Sequence, residues 1–238
     1  MALQPWRTGK VIRIENETYN TRRYWIEVPE LTSFDFQPGQ FVTLDLPIHE
    51  KPNKRWRSYS IASWPDGTNV FELVIVLLEG GAGTTYIFNE IKVGSEFIFR
   101  GAQGVFMLHE ENLQKDLFLI CTGTGIAPFR SMAHHIYRNN IPHRDIYIIY
   151  GCRTQKDLLY YDELRNLPLD HFHYIPTLSR EEWTGKTGYV HAIYEECCAG
   201  KQEASFFLCG WKNMIDEAKQ RIMALGYDRK MIHQELYG

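Results

Sequence analysis

Leu117-Phe118-Leu119-Ile120-Cys121-Thr122-Gly123-Thr124-Gly125-Ile126-Ala127-Pro128 is the stretch whose reading decides the fold. Its opening, Leu117–Cys121, is an uninterrupted apolar run, the pattern of a strand covered on both faces. Two glycines follow, and a helix-length segment runs from Ala127 to Asn139. Pro128 suits the first turn of that helix, where its missing N–H costs nothing. A strand, a glycine loop and a helix N-terminus in this order present backbone N–H groups and a positive dipole end to a nucleotide's phosphates. The loop is not G-x-G-x-x-G, because Pro128 holds the third glycine position. Nor does an acidic residue end the next strand, where Gly151-Cys152-Arg153 stands instead.

Downstream, strands at Ile146–Tyr150, Phe172–Leu178 and Phe206–Cys209 alternate with helical spacers, which implies a parallel sheet covered on both faces. Upstream the grammar differs. Lys10–Glu15, Arg22–Val28, Gln40–Leu46, Trp56–Ser63, Val70–Leu77 and Glu96–Arg100 are short and rich in β-branched and aromatic residues. Turn signals such as Gln37-Pro38-Gly39 and Pro65-Asp66-Gly67 separate them, and one helix opens near Thr84 and ends before Gly94. The expected fold is a closed antiparallel β-barrel of Greek-key type over 1–110, then an α/β parallel-sheet domain over 111–238.

Bulk composition narrows the function. Hydrophobic residues make up 44% and charged residues 23% of 238 residues, with a net charge of -3, so no basic field points to nucleic acid. No apolar run approaches the roughly 20 residues that span a bilayer. The start, Met-Ala-Leu-Gln-Pro-Trp-Arg, lacks a signal-peptide pattern, so a cytoplasmic protein without membrane partners is expected, and separately a monomer. Cysteines 121, 152, 197, 198 and 209 contain no C-x-x-C pair, which argues against a resident iron–sulfur cluster, a disulfide framework or another metal site.

Three further stretches carry candidate chemistry. Arg57-Ser58-Tyr59-Ser60 lies on a strand, with Arg57 and Tyr59 on one face and Ser58 and Ser60 on the other. A cation beside an aromatic can hold a phosphate and a ring together, although an ordinary strand of alternating exposure has the same pattern. Gly80-Gly81-Ala82-Gly83-Thr84-Thr85 leads into a helix; either it lets backbone N–H groups approach a phosphate while Thr84 caps the helix, or it is a turn with a conventional cap. Ser179-Arg180 follows the strand ending at Leu178, where a hydroxyl and a guanidinium can grip a ribose 2′-phosphate, with Lys186 adding charge and Tyr189 an adenine stack. A charged surface loop reads the same way. His171 and His173 share a strand face but have no third ligand in view, and Lys51, Lys54, Arg55 and Arg57 form a short basic cluster suited to an acidic carrier.

These stretches, in this order, resemble the ferredoxin–NADP reductase superfamily, particularly its plant-type branch. Pro38-Gly39-Gln40-Phe41, Arg57-Ser58-Tyr59-Ser60, Gly123-Thr124-Gly125-Ile126-Ala127-Pro128-Phe129-Arg130-Ser131 and Ser179-Arg180-Glu181 carry the likeness. Leu158-Leu159-Tyr160, Cys209-Gly210-Trp211-Lys212-Asn213-Met214 and Glu235-Leu236-Tyr237 extend it over nearly the whole chain. The resemblance implies an FAD-binding barrel, an NADP-binding α/β domain and a flavin between them. Tyr59 is then expected to stack on the isoalloxazine, Arg57, Gly83 and Thr84 to hold the pyrophosphate, and Ser60 to hydrogen-bond near flavin N5. Ser58, Val74, Val76 and Ala82 complete the flavin set. Gly123, Thr124, Gly125, Cys152, Arg153, Ser179, Arg180, Tyr189 and Gly210 form the NADP(H) set, with Thr124 where both dinucleotides meet. Cys209 and Glu235 line the nicotinamide pocket, and Tyr237 covers the flavin until nicotinamide displaces it. With Ser60, these make up the expected catalytic group.

The resemblance also implies hydride transfer between NADPH and FAD, and single-electron exchange with ferredoxin or flavodoxin. Some features depart from the family pattern. Gly238 follows Tyr237, Gly101-Ala102 replaces Gly-Pro, Val74-Ile75-Val76 carries no cation, and Thr187 stands where plant-type members tend to have lysine. An NADH-dependent reductase serving an oxygenase or other separate acceptor, and a non-catalytic flavin-binding redox sensor, are the alternatives.

Overall fold

The computed structural model describes residues 4–237; the first residues of the chain's opening segment and Gly238 lie outside the described residues. Its backbone divides into two compact units, Met1–Met107 with Arg130–His135, and Leu108–Phe129 with Ile136–Gly238.

The first unit contains β1 (Trp6–Asn16), β2 (Thr21–Glu27), β3 (Phe41–Asp45), β4 (Trp56–Ser60), β5 (Val70–Val76), helix α1 (Ala82–Glu90) and β6 (Glu96–Gln103). The strands pair antiparallel in the order β4-β3-β6-β1-β2-β5. Just past β4, Ile61 bridges Leu73 on β5, and Ala62 N donates to Glu72 O at 2.8 Å. The two end strands therefore meet, and the sheet closes into a barrel that hides its edges. Period-two alternation drives this: Phe71, Leu73 and Ile75 of β5 enter one core with Tyr24, Ile26, Val42, Leu44, Phe97 and Phe99. Gly39 shows why the Pro38-Gly39-Gln40 turn needs glycine. Its φ is +100°, and a Cβ there would lie 1.9 Å from the Phe106 carbonyl oxygen.

Glu72 breaks the apolar run of β5 because it faces away from that core. It is buried, and it accepts from Arg23 Nε at 2.7 Å and Arg130 Nη1 at 3.1 Å. Arg130 Nη1 also reaches the Ala62 carbonyl at 2.8 Å. A carboxylate this deep is tolerable only when paired.

The second unit contains α2 (Glu110–Leu113), β7 (Asp116–Thr122), α3 (Ala127–Arg138), β8 (Ile146–Cys152), α4 (Tyr161–Arg165), β9 (Phe172–Leu178), β10 (Lys186–Thr187), α5 (Val190–Cys197), β11 (Ala204–Trp211), α6 (Lys212–Ala224) and β12 (Ile232–Tyr237). All pairings are parallel, in the order β10-β9-β8-β7-β11-β12. Phe118 and Ile120 of β7 and Phe206 and Leu208 of β11 pack on Val190, Ile193, Ile215 and Ala218 from α5 and α6, so the central strands are apolar without alternation. The chain steps outward from β7 to β10, then returns to β7's other side as β11. The strand order thus reverses between β7 and β11, the position where open α/β sheets bind ligands beyond their carboxyl ends.

Two strands escape the sequence reading. β10 has only 2 residues, and β12 mixes polar with apolar side chains as an edge strand zipped to β11. The histidine pair is also corrected. His171 sits at φ 53° before β9 begins, so it shares no strand face with His173; His173 Nε2 lies 2.7 Å from Asp145 Oδ1. Among the described residues no helix is long and apolar enough to cross a membrane.

Candidate active site

In the barrel unit, β4 orients the motif residues. Arg57 pairs with Leu44 and Tyr59 with Val42, both core residues. Tyr59 packs on that core, and burial pushes its hydroxyl up to about 12 against the opposing pull of the Arg57 charge. It is therefore a neutral, half-buried ring at ordinary pH. Arg57 lies across the first turn of α1: a Cβ on Gly83 would come 3.1 Å from Arg57 Cγ and 3.2 Å from its Nε. Its Nη1 donates to the carbonyls of Lys54 at 3.1 Å and Trp56 at 2.8 Å. Arg57, Gly83 and Thr84 are thus brought together at the positive end of a helix.

Thr84 does not cap that helix. Gly81 is the N-cap, and Thr84 lies inside the first turn, where its Oγ1 accepts from Leu78 N at 3.1 Å and sits 3.2 Å from the Gly81 carbonyl. The glycines let α1 start earlier than the threonine predicts. Ala82 is exposed at the helix start, and Ser60 is buried. Ser58 stands apart, its Oγ 3.0 Å from Thr43 Oγ1 on the opposite strand face. Val74 and Val76 occupy the face of β5 that Glu72 shares, with Val74 buried.

The basic cluster does not form one patch. Arg55 pairs with Asp45 at 2.7 Å and Arg57 turns to α1, while Lys51 and Lys54 remain exposed.

In the α/β unit, Gly123–Ile126 makes a tight turn ahead of α3. A Cβ on Gly125 would fall 2.4 Å from the Cys209 carbonyl oxygen. Gly210, at φ +134°, is pressed equally hard, since its Cβ would meet Thr122 Oγ1 at 2.4 Å. Trp211 N donates to that same hydroxyl at 3.3 Å. The loops after β7 and β11 are therefore pinned together at the strand-order reversal. Gly123, by contrast, faces open space at φ +55°. Thr122 was invisible as a site residue in the sequence, and its position at the strand end was the only signal.

The β11–β12 register places Cys209 opposite Glu235 and Trp211 opposite Tyr237. Cys209 is fully buried, and burial, with the Glu235 carboxylate second, holds its thiol well above the usual range, while a hydrogen bond from Tyr237 opposes them. The structure therefore groups Cys209, Glu235, Tyr237 and Gly210, with a neutral thiol.

At the ends of β8 and β9, Ser179 N and Oγ both reach the Cys152 carbonyl, at 3.0 and 3.2 Å, and Arg180 N donates to the Arg153 carbonyl at 2.9 Å. Arg153 and Arg180 are consequently exposed neighbours. The Cys152 thiol is pushed up to about 12, chiefly by burial. Gly188 N bonds the Leu178 carbonyl at 2.8 Å, bringing Tyr189, 73% exposed, beside the same strand end. Lys186 Nζ lies 2.7 Å from Glu196 Oε2, an exposed pair that shares its charge with a carboxylate.

Residues 8–108 match the oxidoreductase FAD-binding domain family, and residues 119–220 match the oxidoreductase NAD-binding domain family. The chain is 35% identical over 216 residues to ferredoxin–NADP reductase B of Sorangium cellulosum (strain So ce56), covering 86% of each protein. It belongs to the ferredoxin–NADP reductase superfamily. A glycine betaine monooxygenase reductase subunit of Pseudomonas aeruginosa is 30% identical over 246 residues, which cover 99% of this chain and 66% of that one. A cytochrome P450 reductase from Amycolatopsis superposes with a TM-score of 0.86 at 25% identity, over 98% of this chain and 70% of that one. As a member of the superfamily the chain is an FAD-dependent oxidoreductase that uses a pyridine nucleotide. Its residues fit those groups. The Arg57 stem laid over Gly83 at a helix N-terminus suits a pyrophosphate, and the tight Gly125–Gly210 crossing leaves a backbone cradle at the strand-order reversal.

Proposed function

We propose that this chain takes hydride from NADPH and delivers electrons one at a time to a separate ferredoxin or flavodoxin. The observation that carries the nucleotide choice is the Arg153–Arg180 pair, held side by side by Arg180 N donating to the Arg153 carbonyl at 2.9 Å. Two exposed guanidiniums at the ends of adjacent parallel strands suit a 2′-phosphate, which a planar fork grips bidentately. Tyr189 stacks the adenine. Residues 1–110 serve as the FAD domain and 111–238 as the NADP(H) domain. The bound flavin supplies the conversion between two-electron and one-electron transfer.

The protein's own share is orientation. Arg57, Gly83 and Thr84 hold the flavin pyrophosphate, with Ala82 and Ser58 at its margins and Val74 and Val76 against the adenosine portion. Tyr59 stacks on the ring and Ser60 donates at N5. Thr124 and the Gly123–Gly125 loop hold the second dinucleotide. Cys209, kept as a neutral thiol, guides the nicotinamide with Glu235 and Gly210, and Tyr237 yields its place to that ring. Such positioning removes translational and rotational entropy from the barrier. A monomeric cytoplasmic protein is part of this reading.

A second reading, an NADH-using reductase that serves an oxygenase, is supported by the likeness to a monooxygenase reductase subunit. Steady-state kcat/KM with each nucleotide separates them: at least tenfold preference for NADPH is expected, and equal or better use of NADH defeats that assignment. Stimulated cytochrome c reduction on adding ferredoxin or flavodoxin tests the carrier. Failure of either nucleotide to bleach bound flavin anaerobically would instead favour a redox sensor.

A further inference from the structure

The register of β8 and β9 ends at Cys152 opposite Leu178. Beyond it the two chains remain zipped: Ser179 N bonds the Cys152 carbonyl at 3.0 Å and Arg180 N the Arg153 carbonyl at 2.9 Å. Backbone pairing then stops, and a side chain takes over. Glu181 Oε2 accepts from Gln155 N at 2.8 Å, and its Oε1 accepts from Gln155 Nε2 at 2.9 Å. Both carboxylate oxygens are thereby turned onto the loop that carries Arg153. Thr154 N and Oγ1 reach Asp157 Oδ2 at 2.9 and 2.8 Å and shape the turn of that loop.

We propose that Glu181 is a positioning residue for the 2′-phosphate: it clips the Arg153 loop to the Arg180 loop so that both guanidiniums face one anion. The inference rests on the NADPH reading above. Two effects of Glu181 oppose each other. Its negative charge repels a phosphate, but the site is exposed, and screening at physiological salt reduces that penalty to about twofold. Its two hydrogen bonds hold the loop bearing one half of a bidentate grip, and losing a charge-assisted contact of that kind weakens binding about tenfold. Positioning therefore outweighs repulsion, and an acidic side chain favours an anionic ligand.

The test is titration calorimetry of the FAD-loaded protein with 2′,5′-ADP and with 5′-AMP. Glu181→Ala is expected to weaken 2′,5′-ADP about tenfold and to leave 5′-AMP within twofold. Gln155→Ala removes one of the two bonds and is expected to weaken 2′,5′-ADP about threefold; it also serves should Glu181→Ala fail to fold. If 2′,5′-ADP binds these variants as tightly as wild type, or more tightly, repulsion or no coupling prevails and the proposal is overturned. Equal wild-type affinity for the two probes would instead remove the 2′-phosphate reading itself, and the positioning role with it.

Discussion

Gly125→Ala is the sharpest probe of the α/β site. A Cβ there would stand 2.4 Å from the Cys209 carbonyl oxygen, 2.7 Å from its carbon and 3.0 Å from Gly210 N. Every one of these neighbours is backbone, so no side-chain rotation relieves the contact. Restoring ordinary van der Waals separation needs the β7 and β11 loops to part by about 1 Å. That parting strains the bond from Trp211 N to Thr122 Oγ1, already 3.3 Å long. Overpacking a rigid site costs about 1–3 kcal/mol, and an all-backbone clash belongs in the upper half of that range. A shift of about 1 Å in an orienting loop also lowers the rate of hydride transfer by about a hundredfold. Gly123→Ala is the control. Open space surrounds it and its cost is confined to the φ of +55°, about 1–2 kcal/mol. Urea unfolding of both variants, with anaerobic flavin reduction by NADPH, measures the two effects. Wild-type stability and reduction rate in Gly125→Ala would refute the picture of interlocked loops.

Arg130→Met removes one partner of buried Glu72 while Arg23 stays at 2.7 Å, so a destabilisation of about 3 kcal/mol is expected in urea unfolding; an unchanged midpoint would deny the pair its structural weight. The Cys152 and Cys198 thiols are each pushed from 9.0 up to about 12, so the folded chain retains protons that the unfolded chain releases. Their stabilisation is complete below pH 9 and declines as pH rises from there toward 12; stability that increases over that interval would contradict the assignment. Tyr237→Ser should narrow the preference for NADPH over NADH in kcat/KM, because nicotinamide no longer competes with a stacked ring. An unaltered ratio would show that Tyr237 is no lid.

The candidate site divides along the same physical line as the fold. Leu117–Cys121 and its glycine loop announced a strand, a tight turn and a helix, because continuous burial and missing side chains leave local marks. The β-branched and aromatic residues of Val70–Val76 read as a barrel strand, but nothing local reveals that Glu72 within it pairs with Arg23 and Arg130, which are distant in sequence. Thr84 reads as a cap but lies inside the first turn, because a hydroxyl near a helix start looks the same in sequence from either side of that turn. Lys186 reads as a source of charge, and nothing local reveals its pairing with Glu196, 10 residues onward.

The sequence by itself determined the strands of both sheets other than β10 and β12, where the glycine turns fall, and which residue types are available to two dinucleotides. These follow from periodicity and backbone freedom, properties of neighbours along the chain. Only the tertiary structure decided that Thr122 clamps Gly210, that Cys209 faces Glu235, and that Arg153 lies beside Arg180. Each of these depends on the register between strands remote in sequence, and register is set by packing and hydrogen bonding in three dimensions.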